Sequence, residues 1–177
     1  MEFLHSRTRM DSREPLYRRG LGIGIVVTVT ITCLCLLPAL SRIAKNSLNN
    51  HASEASAIQS IRMIYQAQQQ YESAYPAHGF ACSLAALGGD PSAGTPSSAA
   101  AQLLSGDLAS GFKSGYLFNL DCKDTMTING IHRYNSYTVT AVPQTAGKTG
   151  NRGFCSDQFG IIKTDPAGGA NCTQPLE

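Results

Sequence analysis

LGIGIVVTVTITCLCLLPAL (21–40) is followed at once by SRIAKNSLNNHASEASAIQSIRMIYQAQQQYESAY (41–75), and the architecture of the chain turns on these fifty-five residues. The first part carries no charge over twenty residues. As a helix it spans about 30 Å, the thickness of a bilayer's hydrocarbon core. The second part is polar yet lacks Gly and Pro, and its apolar residues return at Ala57, Ile58, Ile61, Ile64, Tyr65 and Tyr71. That three-and-four spacing marks an amphipathic helix. The economical reading is one helix ending at Tyr75-Pro76, roughly 80 Å long if continuous. Its halves, 21–40 and 41–75, differ in character, one suited to lipid and one to a protein core.

Residues 1–20 precede this helix as a basic leader without apolar periodicity, and 76–177 follow it as a head large enough for one small domain. The chain's net charge is +2. The basic excess lies entirely in the leader, while residues 41–177 balance acids and bases. Nothing in the head argues for nucleic acid as a partner. Arginines clustered before an apolar run favour an N-terminus that stays in the cytoplasm, with the head on the far side of the membrane.

Strand signals are confined to the head. GYLFNLD (115–121) and SYTVTAV (136–142) alternate apolar and polar residues, and GFCSDQFGIIKTD (153–165) offers two short strands around Asp157-Gln158. PAHGFACSLAALGGDPSAGTPSSAAA (76–101) reads as loop with one helical turn at 83–87, and 102–108 as a second turn with Leu103, Leu104 and Leu108 inward. The fold class expected is α+β: three or four antiparallel strands laid on the amphipathic helix half, with Ile61, Ile64 and Tyr65 buried.

The order of these features resembles the type IV pilin and pseudopilin family. The basic leader ending Arg18-Arg19-Gly20, the apolar stretch directly after it, and EASAIQSIRMIYQAQQQYESAYP (54–76) carry the likeness. The loop from Leu84 to Gly89, DLASGFKSGYLFNL (107–120) and CSDQFGIIK (155–163) extend it to the small-headed members. The resemblance implies a non-enzymatic subunit without cofactor or metal, belonging to a type IV pilus or a type II secretion pseudopilus. It implies cleavage between Gly20 and Leu21 by a prepilin peptidase, methylation of the new N-terminus, and partners among other pilin-like subunits and the inner-membrane assembly machinery. The expected location is the bacterial inner membrane, single-pass with the head periplasmic, or an extracellular filament.

Within the assembly helix three residues stand out. Pro38 cannot donate its N–H and bends or opens a helix, as a late Pro does in pilins. Ile25 is the fifth residue after Gly20, where family members carry a Glu that meets a neighbour's terminal amine. Its place here points to a minor subunit. Glu54 sits among Gln and Ser on what reads as a solvated face, which in a filament would meet neighbours. Two other readings compete. A conventional signal peptide finds a small-x-small site at Ala39-Leu40-Ser41, and a membrane-tethered or secreted binding module needs no filament at all.

Cys82, Cys122, Cys155 and Cys172 lie in the head, and an even count in an exported domain suggests two disulfides. Three pairings are open; Cys82–Cys122 and Cys155–Cys172 are favoured, each adding on the order of 3 kcal/mol in the chain-entropy model. A four-cysteine zinc site is the rival, but no pair has the close spacing such sites use. Cys33 and Cys35 read as packing residues in the apolar run. Gly147-Lys148-Thr149 lacks the helix and upstream Gly of a phosphate-binding loop and reads as a turn. The aspartates 121, 124, 157 and 165 lack the density of a calcium loop and read as turn formers. Thiol labelling of the denatured, unreduced protein is expected to leave the four head cysteines unmodified; two reactive thiols among them would refute the pairing.

Overall fold

In a computed structural model, backbone is described for residues 16–176 and side chains for 45–176. The helix α1 is assigned to Leu16–Ala74. The chain divides into two compact units, Met1–Ala44 and Lys45–Glu177. The second unit is α+β: the residues of α1 from Lys45 on, two single-turn helices α2 (Leu84–Leu87) and α3 (Gly106–Ala109), and a six-stranded antiparallel sheet in strict sequence order.

The buried face of α1 is built on one stripe, with Ser60 and Ala67 buried beside it. Asn50, Glu54, Ala57, Ile61, Ile64, Gln68 and Tyr71 are all buried and recur at alternating intervals of four and three. That spacing keeps one line of side chains on one side of a 3.6-residue helix. Ile61 and Ile64 are fully buried, each worth about 1.5–3 kcal/mol in apolar area removed from water. Tyr65, one position off the stripe, is half-buried, and its ring lies against Gly160.

The sheet comprises β1 (Phe112–Lys113), β2 (Tyr116–Ile128), β3 (Ile131–Pro143), β4 (Gly153–Asp157), β5 (Lys163–Asp165) and β6 (Gln174–Pro175). Alternation puts Tyr116, Phe118 and Leu120 of β2 on the buried face. The register sets Tyr137 of β3 beside Cys122, Val139 beside Leu120, and Ala141 between Phe118 and Phe154 of β4. These rows join the stripe of α1, with Leu84, Leu87, Leu104 and Leu108 closing one side of the same core. The 150s turn approaches so closely that a Cβ on Gly150 would collide with the Tyr116 hydroxyl, which donates to the Arg152 carbonyl at 2.9 Å.

The sheet exceeds the three or four strands expected from the sequence by the two-residue edge strands β1 and β6, and β2 and β3 are longer than expected. Both run past the expected limits at 121 and 136 to a two-residue turn at Asn129-Gly130. Both turn residues have positive φ, +53° and +78°, the type I′ geometry that Asn-Gly favours in hairpins. The ladder is interrupted once, between the pairs Lys123↔Ser136 and Thr125↔Tyr134. There Asp124 takes a φ of +53° and its carboxylate accepts from the Ser136 hydroxyl at 2.6 Å.

Two buried phenols make the fold sensitive to alkali. Burial raises the pKa of Tyr116 and of Tyr137 well above the usual tyrosine value of 10.0. The unfolded chain therefore loses these protons first, and stability falls as pH rises from about 10, by roughly 1.4 kcal/mol per pH unit for each phenol still protonated in the fold. The Tyr137 hydroxyl is buried with no partner among the described residues. Tyr137→Phe is expected to leave stability at pH 7 unchanged or higher and to flatten the decline above pH 10, as read by denaturant unfolding; an undiminished slope would contradict this. Ile61→Ala is expected to cost roughly 2–5 kcal/mol; a loss within about 0.5 kcal/mol would place Ile61 at a surface position.

Candidate assembly and interaction surfaces

Three members of the buried stripe are polar, and each holds a distant loop. Asn50 Nδ2 donates to the Gly147 carbonyl at 3.0 Å. Glu54, only 3% exposed, accepts from the Asn151 N–H at 2.8 Å and from the Arg152 N–H at 3.3 Å. The Arg152 guanidinium completes the set through Nε and an ion pair, both at 3.0 Å, while lying over the Phe154 ring. A carboxylate this deeply buried is tolerable only with such charge-assisted donors. Glu54 is therefore not on a solvated face, as its polar neighbours in sequence suggest. Its partners lie 97 and 98 residues away, beyond the reach of any local pattern.

Gln68 does the same for the segment after the helix. Its side-chain amide donates to the Ala81 carbonyl and accepts from the Ala81 N–H, both at 2.8 Å, acting as a peptide unit would. The same segment is sewn to β3 by Phe80 N–H to the Tyr134 carbonyl and Tyr134 N–H to the His78 carbonyl. Near the helix end, Tyr71 donates to the Ser98 carbonyl at 2.7 Å, and Arg133 reaches Glu72 at 3.2 Å and the Pro76 carbonyl. Burial raises the Tyr71 pKa above its ordinary value, with Tyr75 adding to it.

The disulfides are Cys82–Cys122, with Cα atoms 5.3 Å apart, and Cys155–Cys172, at 5.9 Å. These are the pairs favoured from the sequence, and a four-cysteine zinc site is thereby ruled out. The first fastens the post-helix segment to β2; the second fastens the chain before β6 to β4. Asp157 and Asp165 accept N–H groups of their own turns, from Phe159 at 3.0 Å and from Ala167 at 2.9 Å. The Lys148 and Thr149 N–H groups both bond back to the Thr145 carbonyl in a closed turn. Among the described residues no three His, Cys, Asp or Glu side chains are placed to hold a metal ion.

What remains is surface. Met126, Ile128 and Ile131 are exposed at the tip of the β2–β3 hairpin. Phe159 and Ile161 are exposed on the β4–β5 turn, Phe159 to 71%. Phe112 and Leu117 form an exposed cross-strand pair. The outward side of α1 shows Gln59, Arg62, Met63, Gln66, Gln69 and Gln70. Among the described residues no helix is long and apolar enough to cross a membrane. Gly20, Leu21, Ile25 and Pro38, with the leader 1–20 and the apolar half 21–40, lie outside the residues whose side chains are described. Comparison with known protein families, curated proteins and solved structures finds no match.

The docking role of the helix is testable at its C-terminal half. Gln68→Leu preserves volume but leaves the Ala81 N–H and C=O without their partner, and unsatisfied buried groups cost about 1–3 kcal/mol each. The variant is expected to unfold at correspondingly lower denaturant concentration. Unchanged stability would mean that the post-helix segment does not depend on Gln68.

Proposed function

We propose that this protein is a non-enzymatic structural subunit of a type IV pilus or type II secretion pseudopilus, and a minor rather than a major one. One observation carries the reading: the polar helix half that follows the apolar stretch 21–40 uses its whole buried stripe, Asn50 to Tyr71, to hold its own small antiparallel head. A head so fixed moves with its helix, which is what a helix-packed filament subunit requires. The helix's other side, rich in Gln, is left for neighbours. On this reading residues 21–75 form one long helix, lipid-embedded through its first half, with the leader in the cytoplasm and the head periplasmic. Prepilin peptidase cuts between Gly20 and Leu21, and the partners are other pilin-like subunits and their inner-membrane machinery. Two disulfides in the head fit an oxidising compartment.

The minor role rests on Ile25. After cleavage, a terminal amine in hydrocarbon needs a charged or hydrogen-bonding partner, and its absence costs a few kcal/mol. A single such defect is tolerable at a filament end; repeated in each subunit it opposes growth. The processed protein expressed alone is expected to form no filaments, and Ile25→Glu is expected to restore them. Abundant filaments of the unaltered protein would overturn the minor-subunit reading. Mature protein starting anywhere but Leu21, by N-terminal sequencing, would overturn the pilin-like reading itself.

A further inference from the structure

β2 is bonded to β3 along its length on one side, save for the break at Asp124, and is almost bare on the other. β3 pairs with it from Tyr116 to Ile128, whereas β1 covers only Tyr116 and Leu117. One further bond, from the Phe118 N–H to the Gly111 carbonyl at 2.8 Å, ends that coverage. Phe118 therefore points its backbone groups away from β3. By strand alternation, Leu120 and Cys122 present their N–H and C=O groups to the same open side. Neither N–H has an acceptor outside the ladder among the described residues. The regular stretch stops at Asp124, whose positive φ breaks the ladder, so the free edge comprises residues 119–123.

A groove of about 350 Å³ runs beside this edge, walled by Leu84, Ala85 and Ala109 opposite Phe118 and Leu120. The Cys82–Cys122 disulfide ties the far wall to the edge strand, so the groove exists before anything enters it. On the opposite face of the strand, Asp121 and Lys123 are exposed.

We infer that residues 119–123 of β2 accept an extended segment of another polypeptide as an added antiparallel strand. Only a strand offers donors and acceptors alternating at the spacing this edge leaves open, and edges of this kind are recognised through main-chain bonds with side-chain pockets setting specificity. The groove and charges define the guest in chain order: an acidic residue opposite Lys123, a small one against the disulfide at Cys122, a basic one opposite Asp121, and an apolar one in the groove beside Leu120. Asp121 and Lys123 fall at positions not bonded to the guest, where facing side chains approach most closely. The inference does not depend on filament assembly.

The test uses the full-length protein and a blocked heptapeptide, Thr-Glu-Ser-Lys-Val-Thr-Thr, read by hydrogen exchange. At millimolar peptide the Leu120 and Cys122 amides are expected to exchange at least about tenfold more slowly, because a new cross-strand bond must open first. A peptide with Pro replacing Ser is expected to give no protection. Exchanging Glu and Lys in the peptide should weaken protection of the native protein and restore it in Asp121→Lys/Lys123→Asp. No slowing at these two amides, or equal slowing by the Pro peptide, overturns the inference. So does protection that grows with protein concentration alone, which would assign the edge to a second copy of this chain.

Discussion

A helix that must bury a stripe containing a carboxylate and two amides can do so only if other parts of the chain bring partners to them. This constraint organises the second unit. Asn50 and Glu54 fix the loop between β3 and β4, and Gln68 fixes the segment that leaves the helix. The apolar members between them, Ala57, Ile61 and Ile64, supply the area that makes docking favourable. The polar members contribute less net free energy than that area. They exclude wrong arrangements instead: a loop docked one turn away would leave Glu54 buried without its donors, at a cost of several kcal/mol.

Hydrophobic spacing is enough to read the helix face from Ala57 onward, because Ala57, Ile61 and Ile64 announce themselves. It stops short at Asn50 and Glu54, which share the stripe but look like surface residues. Their burial is created by Gly147, Asn151 and Arg152, and contacts across nearly a hundred residues have no periodicity to detect. That the four head cysteines form two disulfides is legible from their even count; their positions favour the observed pairs among three possible pairings without fixing them. The hairpin is half legible. Alternation in 115–121 and 136–142 locates its base, but KDTMTINGIHRYN between them is too polar to read as strand, and the interruption at Asp124 disturbs the pattern further. Asn129-Gly130 is the local signal that identifies the turn, because both residues accept positive φ.

The proposed function rests on what the head leaves exposed. Asp157, Asp165 and the lysine-bearing turn are occupied with their own backbone, and Asp124 with the Ser136 hydroxyl. Strand edge, apolar tips and a Gln-rich helix side stay exposed, and these are the surfaces on which the proposed subunit role draws. Proposed as a pilin-like subunit, the chain would use the helix for assembly and the head edge for a separate contact. The two demands do not compete, since the edge of β2 and the outward side of α1 involve different residues.

On the packing described, the helix stripe and the sheet form one cooperative unit. Native-state hydrogen exchange across a denaturant series measures this cooperativity. If the unit opens as a whole, the amides of Ile61 and Ile64 in α1 and of Val139 and Ala141 in β3 share one opening free energy and one denaturant dependence. Helix amides that open at a free energy lower by about 2 kcal/mol or more, while the sheet stays protected, would contradict it.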